Sequence, residues 1–344
     1  MSAGRMRAWR LPAGCTAVEQ LELTELPRPD PASGEVLVRV HATSLNYRDQ
    51  AIAQGRYFGA AIKVAGTPLS DGAGVVEAVG AGVKALAPKD RVASTFFTAW
   101  LEGPPPPVKG EALGCPPAKG MLADYVALPE KALVKLAASL TFEEAATLPC
   151  AGVTAWNALM TGVRPLEPGQ WVLLIGTGGV SLLALRIAKA AGAHVVATSS
   201  SDAKLARARK LGADATLNYK SEPQWGAKAA ELAGGTLHHV VEVGGLGTLG
   251  QSIQAVGFGG EIALIGVLSM QGEANPMPLM IKGASLRGIF VGSAAMARDL
   301  NAFVDTHQLK PVVDRVFAFA DAKAAYAYQA SGELFGKVVI ANPP

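Results

Sequence analysis

The stretch Trp171–Leu185, "WVLLIGTGGVSLLAL", constrains this chain more than any other. Its first six residues form an uninterrupted apolar run, as a strand buried on both faces has. A glycine turn follows at once. Then comes "VSLLALRIAKAAGA", with apolar residues at helical spacing up to Gly192. Gly176, Gly178 and Ser181 stand at the G-x-G-x-x-G spacing across the turn. The first glycine makes the turn, the second lets backbone approach a pyrophosphate, and a small third residue lets helix pack on strand. The helix N-terminus offers its unpaired N–H groups to phosphate oxygens. In this strand–turn–helix setting the motif points to a dinucleotide. Gly176, Thr177, Gly178, Gly179 and Val180 are expected to line its pyrophosphate.

The alternation continues. "HVVATS", "ATLNY", "HHVVEVGG", "GGEIALIG" and "SLRGIFVG" read as strands with helices between them. "DAKLARARKLGA" is a helix with Ser201 or Asp202 at its cap. Such alternation implies a parallel sheet covered on both faces. The N-terminal part has another texture: short strands such as "EVLVRVHATSL" and "GAGVVEAVGAGV", and a proline-rich loop, "EGPPPPVKGEALGCPPAKG". The C-terminal part returns to mixed elements, with helices at "ARDLNAFVDTHQ" and "DAKAAYAYQASG" and strands at "DRVFAF" and "KVVIA". The expected fold class is α/β, with a doubly wound domain inserted between two parts of another, mainly β domain.

The end of the second strand reports on the cofactor. A site for NAD usually has an acid there, about 20 residues on, to hold the ribose 2′-hydroxyl. Here Ser199, Ser200 and Ser201 occupy the place, and Lys204 follows within a turn. Hydroxyls and an ammonium suit a 2′-phosphate, so NADPH is expected over NADH. A rival reading turns Asp202 inward to the ribose; its expected place is the helix cap.

Composition excludes several classes. At 344 residues the chain suits one large or two ordinary domains. The net charge is +3, and no basic run is interleaved with aromatics, so nucleic acid is not an expected partner. Cys15, Cys115 and Cys150 are odd in number and far apart, which fits a reducing compartment, the cytoplasm by default. The N-terminal residues show no apolar core of signal-peptide type. The uncharged run Ala145–Val163 is interrupted by Pro149, Asn157, glycines and threonines, and reads as a buried segment, not a membrane span.

The motifs "SLNYRD", "PLSDGAGVVEAVG", "DRV", "LADYVALP", "AATLPCAGVTAWNAL", "GTGGVS", "AGAHVVATSSS", "KLGADATLNY", "VVEVGG", "IALIGV" and "FGKVVI" follow one another in order. On these the chain resembles the medium-chain dehydrogenase/reductase superfamily over nearly its whole length. The resemblance implies a GroES-like catalytic domain, 1–149 and 289–344, split by a Rossmann domain, 150–288, with the site in the cleft between them. Zinc alcohol dehydrogenases of the superfamily carry a cysteine where this chain has Asn46. They carry a His-Glu pair in place of Ser70-Asp71, and their third ligand falls at Cys150. Catalytic zinc normally needs three protein ligands and an open position. The four-cysteine structural lobe is also missing, with the proline-rich loop roughly in its place. The chain thus resembles the zinc-free quinone oxidoreductase-like and enoyl reductase-like branch, and no metal is expected.

Residue by residue, the resemblance implies further roles. Asn46 matches the asparagine of that branch's N-x-x-D motif, near nicotinamide or substrate. Tyr57 matches the tyrosine taken as proton donor in enoyl reductases. Lys204 and Tyr219 match residues that embrace the adenosine 2′-phosphate. Thr154, Gly244, Gly266 and Val267 fall where relatives contact the nicotinamide half. Ala294 stands where close relatives often have an arginine. Cys150 becomes a neutral thiol near the nicotinamide.

Without zinc, alcohol oxidation loses its Lewis acid. Reduction of an enone or quinone makes a less basic oxyanion, and a tyrosine or water can supply the proton. The expected activity is NADPH-dependent reduction of a quinone, enone or enoyl substrate. Two alternatives stay open: an alcohol dehydrogenase with an irregular or absent zinc site, and a non-enzymatic NADPH-binding protein. Tyr57 is as readily a packing residue on a loop. The apolar "SLRGIFVG" at the sheet edge implies a homodimer.

Overall fold

The computed structural model describes residues 4–108, 111–266, 268–269 and 271–343. The chain opens with an antiparallel pair, β1 (Arg5–Arg10) and β2 (Glu22–Pro27). The long strand β3 (Glu35–Ser44) runs into α1 (Tyr47–Ala53), which carries the last three residues of "SLNYRD". Next come β4 (Asp71–Val79), β5 (Arg91–Ser94), β6 (Tyr125–Pro129) and β7 (Leu133–Lys135), with the proline-rich stretch irregular between β5 and β6. The short α2 (Phe142–Ala145) and a π-helical turn, Leu148–Gly152, lead into α3 (Val153–Met160).

Strands and helices then alternate as their apolar periods dictate. The strands are β8 (Trp171–Leu174), β9 (His194–Ser199), β10 (Ala215–Asn218), β11 (His239–Glu242), β12 (Glu261–Leu264) and β13 (Ser285–Gly288). Between them lie α4 (Gly179–Ala190), α5 (Asp202–Lys210), α6 (Trp225–Leu232), α7 (Leu246–Ala255) and α8 (Met277–Lys282), in that order. The chain closes with α9 (Ala294–His307), β14 (Val313–Ala318), α10 (Ala322–Ala330) and β15 (Lys337–Ala341).

These elements form two compact units, one running to Val153 and resuming at Gly292, the other Thr154–Val291. In the second unit all six strands are parallel, in the order β10-β9-β8-β11-β12-β13. The strand order reverses beside β8, and in such sheets ligands sit beyond the carboxyl ends of the strands at that point. β11 is buried along its whole length, as a strand covered on both faces must be.

The first unit is built on a seven-stranded sheet, β14-β15-β3-β4-β5-β7, with β6 also pairing β3. Valines of β3 and β4 pack with Leu113, Met121 and Leu128 in one core. Leu45, Ile52, Tyr326, Val338 and Ile340 belong to another. β15 runs antiparallel to β3, with Val339 opposite Ser44. That pairing carries Lys337 from the far end of the sequence to the start of α1. The uncharged run from Ala145 is broken between α2, the π-helical turn and α3, and is buried to Leu159 except at half-buried Cys150. Among the described residues no helix is long and apolar enough to cross a membrane.

Candidate active site

In the second unit, β8 ends in a turn at Gly176, whose φ of +76° is the left-handed region that glycine enters freely. Its N–H donates to Thr198 Oγ1 at 3.1 Å, tying the turn to β9. A Cβ added at Gly176 or Gly178 would meet nothing within 4 Å, so the space over the turn is open. Gly178 caps α4, and Gly179 and Val180 begin it. Thr177 is buried; Ser181, in the third motif position, is buried and donates to Ile175 O at 2.7 Å. The turn therefore offers backbone and the positive end of a helix dipole, with no carboxylate among Gly176–Ser181.

The corner after β9 collects the residues expected at a 2′-phosphate. Ser199 is buried and accepts the Ser201 N–H at 3.2 Å. Ser201, not Asp202, caps α5, accepting the Lys204 N–H at 3.4 Å. Asp202 is the first helical residue, and its carboxylate accepts from Asn218 Nδ2 at 2.8 Å. Tyr219, one residue past β10, donates its backbone N–H to Ser199 O at 3.1 Å. The fold thus brings Ser199, Ser200, Lys204 and Tyr219 to one pair of strand ends, and the Asp202 carboxylate there is engaged by an amide.

Gly244 and Gly266 follow β11 and β12. A Cβ on Gly244 would lie 2.2 Å from Thr248 Oγ1, and one on Gly266 2.2 Å from the Val243 carbonyl carbon. The Gly266 N–H donates to the Glu242 backbone carbonyl at 2.9 Å, and the Gly244 loop is held by the Glu242 side chain, a fully buried carboxylate that sequence reasoning missed. One Glu242 oxygen accepts from Gly244 N–H at 2.7 Å, Gly245 N–H at 3.0 Å and Thr248 Oγ1 at 2.6 Å; the other accepts from Ser252 Oγ. Thr154 is buried near the start of α3. Val267 lies outside the described residues. The histidines take structural places: His194 stacks on Trp171, and His239 pairs with Gln170, at the opening residues of β9 and β11.

The first unit holds a buried polar cluster at the junction of β3, α1, β4 and β15. Asn46 sits just before α1, and its backbone N–H donates to Asp49 Oδ2 at 2.7 Å. The N-x-x-D spacing is thereby a local helix-start device. Ser70 donates to Asp71 Oδ1 at 2.7 Å, and the Cys150 N–H to Asp71 Oδ2 at 3.3 Å. Leu69, leading into this pair, takes φ +72°, a costly conformation for a bulky residue, held by burial and by Met121 N–H on its carbonyl. Lys337, 3% exposed, reaches into the cluster. Its Nζ donates to Leu45 O and to Asn46 Oδ1, both at 2.6 Å, and stands 3.8 Å from Asp71 Oδ2.

These residues do not fit a zinc ion. Zinc takes deprotonated thiolates, neutral imidazoles and free carboxylates. Burial, and then Asp71, push the Cys150 thiol far above its ordinary range, so it stays protonated. Ser70 spends its hydrogen bond on Asp71, Asn46 turns its oxygen to a lysine, and an ammonium already faces the carboxylate. Among the described residues no group of three His, Cys, Asp or Glu side chains could hold a metal. A shallow groove lined by Leu133, Lys135, Arg298 and Asp305 shares no residue with this cluster.

Tyr57 lies in the turn after α1, half-buried against the Tyr326 core. Burial raises its phenol above the usual range, while the neighbouring Arg48 guanidinium works against the rise. Arg48 itself is buried, with Nη1 donating to Leu113 O at 2.7 Å and Cζ 4.5 Å from the Phe96 ring centroid. Phe96 and Leu113 belong to the irregular stretch between β5 and β6, which therefore helps to shape this cluster.

Similarity to known proteins agrees with this anatomy. The family described as alcohol dehydrogenase GroES-like domain matches residues 32–138, and that described as zinc-binding dehydrogenase matches 179–306. A zinc-type alcohol dehydrogenase-like protein of Schizosaccharomyces pombe is 44% identical over 330 residues, covering 94% of this chain and 95% of its own. The chloroplastic NADPH-dependent alkenal/one oxidoreductase of Arabidopsis thaliana is 29% identical over 340 residues, 97% of this chain and 79% of its own. A solved NAD-dependent alcohol dehydrogenase is similar at a TM-score of 0.88 and 33% identity, covering 98% of this chain and 100% of that one.

Proposed function

Because this chain belongs to the medium-chain dehydrogenase/reductase superfamily of oxidoreductases, we propose that it reduces a quinone, enone or enoyl substrate with NADPH and without a metal. One observation carries the reading. Where zinc enzymes of the superfamily have their ligands, this chain has a buried Lys337–Asn46–Asp71 network beside a protonated Cys150. The catalytic domain is assigned to 1–149 and 289–344 and the cofactor domain to 150–288.

NADPH, when bound, supplies hydride. The Gly176–Val180 turn would hold its pyrophosphate through backbone N–H groups, and Thr154, Gly244 and Gly266 its nicotinamide half. Ser199, Ser200, Lys204 and Tyr219 would hold the 2′-phosphate, a grouping supported by the engagement of Asp202 with Asn218. Asn46 orients the substrate carbonyl. Tyr57, kept protonated by its surroundings, donates the final proton or a hydrogen bond. A conjugated substrate suits this equipment, since its reduced oxyanion is far less basic than an alkoxide. The alkenal/one reductase among the relatives supports the same substrate class.

The test is a screen of NADPH and NADH oxidation against quinones, enones and simple aldehydes. Turnover should be confined to conjugated carbonyls and favour NADPH, and Tyr57→Phe should lower it about 10²-fold. Turnover on simple aldehydes or alcohols alone would overturn the proposal.

A further inference from the structure

Arg48 occupies an unusual position for a charged side chain. Only 8% of it is exposed. One nitrogen, Nη1, is anchored on the Leu113 carbonyl, and the guanidinium is flanked by Phe96 at 4.5 Å and Tyr57 at 5.2 Å. Nε and Nη2 are buried with no acceptor in full hydrogen-bonding geometry, and the Tyr57 phenol is close enough to act on the guanidinium as a weak hydrogen-bond partner. Buried donors of a permanently charged group are rarely left unpaired, because the group cannot shed its proton and has lost its water. Asp49, the next residue, does not supply the acceptor: its Oδ2 takes the Asn46 N–H, and its Oδ1 has no partner.

A second orphan donor lies two residues away. Asn46 Nδ2 is buried without a partner. Lys337 can only donate, so its bond to Oδ1 fixes the amide with Nδ2 as the remaining donor. The thiol of Cys150 feels the charges of both Lys337 and Arg48, and the phenol of Tyr57 that of Arg48, so one neighbourhood holds all of these groups. It holds unpaired donors and a fixed cation, with the Asp49 carboxyl and the Tyr57 phenol beside them.

We propose that Arg48 is a catalytic residue whose guanidinium donates through Nη2 to the substrate oxygen on which negative charge collects. The proposal rests on the reading of the chain as a reductase of conjugated carbonyls. When hydride forms the new C–H bond at the β-carbon, the C=C pair moves and the carbonyl oxygen becomes an enolate oxygen. A proton delivered to the α-carbon, from Tyr57 or water, completes the two-electron reduction while NADPH is oxidised to NADP⁺. A preorganised cation in a buried setting stabilises that oxygen with little reorganisation. Arg48 then supplies the electrostatic aid that zinc supplies elsewhere. Lys337 acts as a positioning residue, through Asn46.

The experiment compares the wild-type protein with Arg48→Met and Arg48→Lys. The readouts are NADPH affinity by fluorescence, kcat on an accepted enone or quinone, and binding of 4-nitrophenol as an oxyanion probe followed by its phenolate absorbance. Arg48→Met should lower kcat about 10²–10³-fold with NADPH affinity unchanged, and added guanidinium ion should restore part of it. Arg48→Lys, a point charge without the fork, should fall between and serve as the folded control. Bound 4-nitrophenol should ionise about one pH unit lower on the wild type than on Arg48→Met. Equal kcat and equal ionisation midpoints in wild type and both variants would overturn the proposal. If the wild type reduces no conjugated carbonyl but 4-nitrophenolate binding still depends on Arg48, the anion site stands and the assigned activity falls. If turnover is present and indifferent to Arg48, the activity stands and the role of Arg48 falls.

Discussion

Asp49 offers a stability test that depends on the cluster being buried as described. Burial is the main cause that pushes its carboxyl up to about 6, and Asp71 adds to it; Arg48, the Asn46 N–H and Lys337 work the other way. In the unfolded chain an aspartate titrates near 3.9. Between these two values the native state holds a proton that the unfolded state has released. Stability therefore falls as pH rises through this window, and the carboxyl's favourable contribution is complete only below the unfolded value. A gap of about two units corresponds to about 3 kcal/mol. Asp49→Asn does not titrate and keeps an oxygen for the Asn46 N–H. Urea unfolding of both proteins, followed by tryptophan fluorescence from pH 4 to pH 7.5, gives the difference in stability. That difference should move by about 2 kcal/mol of this in favour of the asparagine variant between pH 4 and pH 6.5, and then level off. A difference that stays constant within about 1 kcal/mol across the range would refute the reasoning, because a solvated carboxyl behaves that way.

Lys337→Met should destabilise the chain by about 3–5 kcal/mol, since Asp71 is then buried without its cation; a denaturation curve close to wild type would show that water replaces the ammonium. Cys150→Ser should change turnover by less than about tenfold, because a protonated thiol that makes no metal bond contributes at most a weak contact of about 1 kcal/mol. Gly244→Ala should weaken both folding and cofactor affinity, because its Cβ would stand 2.2 Å from Thr248 Oγ1; unaltered NADPH binding would detach this loop from the cofactor site. β13 presents exposed Leu286 on a sheet edge beside exposed Met280 and Ile281 of α8, and light scattering in solution should report a dimer.

The doubly wound unit was legible because each of its elements carries its own period and its own punctuation. "WVLLIG" followed by Gly176 and a helical repeat admits few other structures. The Ser199–Tyr219 corner was legible for the same reason: it is assembled from adjacent strand ends of that pattern. The cap was placed only to within one residue, because Ser201 and Asp202 are both good caps and the competing bond from Asn218 decides between them. The first unit hides more. Lys337 reads as one residue of a short strand, and its partner Asn46 is 291 positions away. Arg48 reads as a charge on a short helix, which would ordinarily face water. The irregular stretch carrying Phe96 and Leu113 helps to bury it, and a proline-rich loop has no period from which a path could be read. Glu242 ends a buried strand and looks like an ordinary polar terminus until four donors converge on it.

The central claim is that an organic cation cluster, not zinc, does the electrostatic work at the position of the superfamily's metal site. Elemental analysis of the purified protein, paired with kcat on an accepted enone before and after exhaustive chelation, tests it most directly. The account predicts zinc far below one equivalent and kcat unchanged by the chelator. Stoichiometric zinc whose removal abolishes turnover, with recovery on adding zinc back, would contradict it.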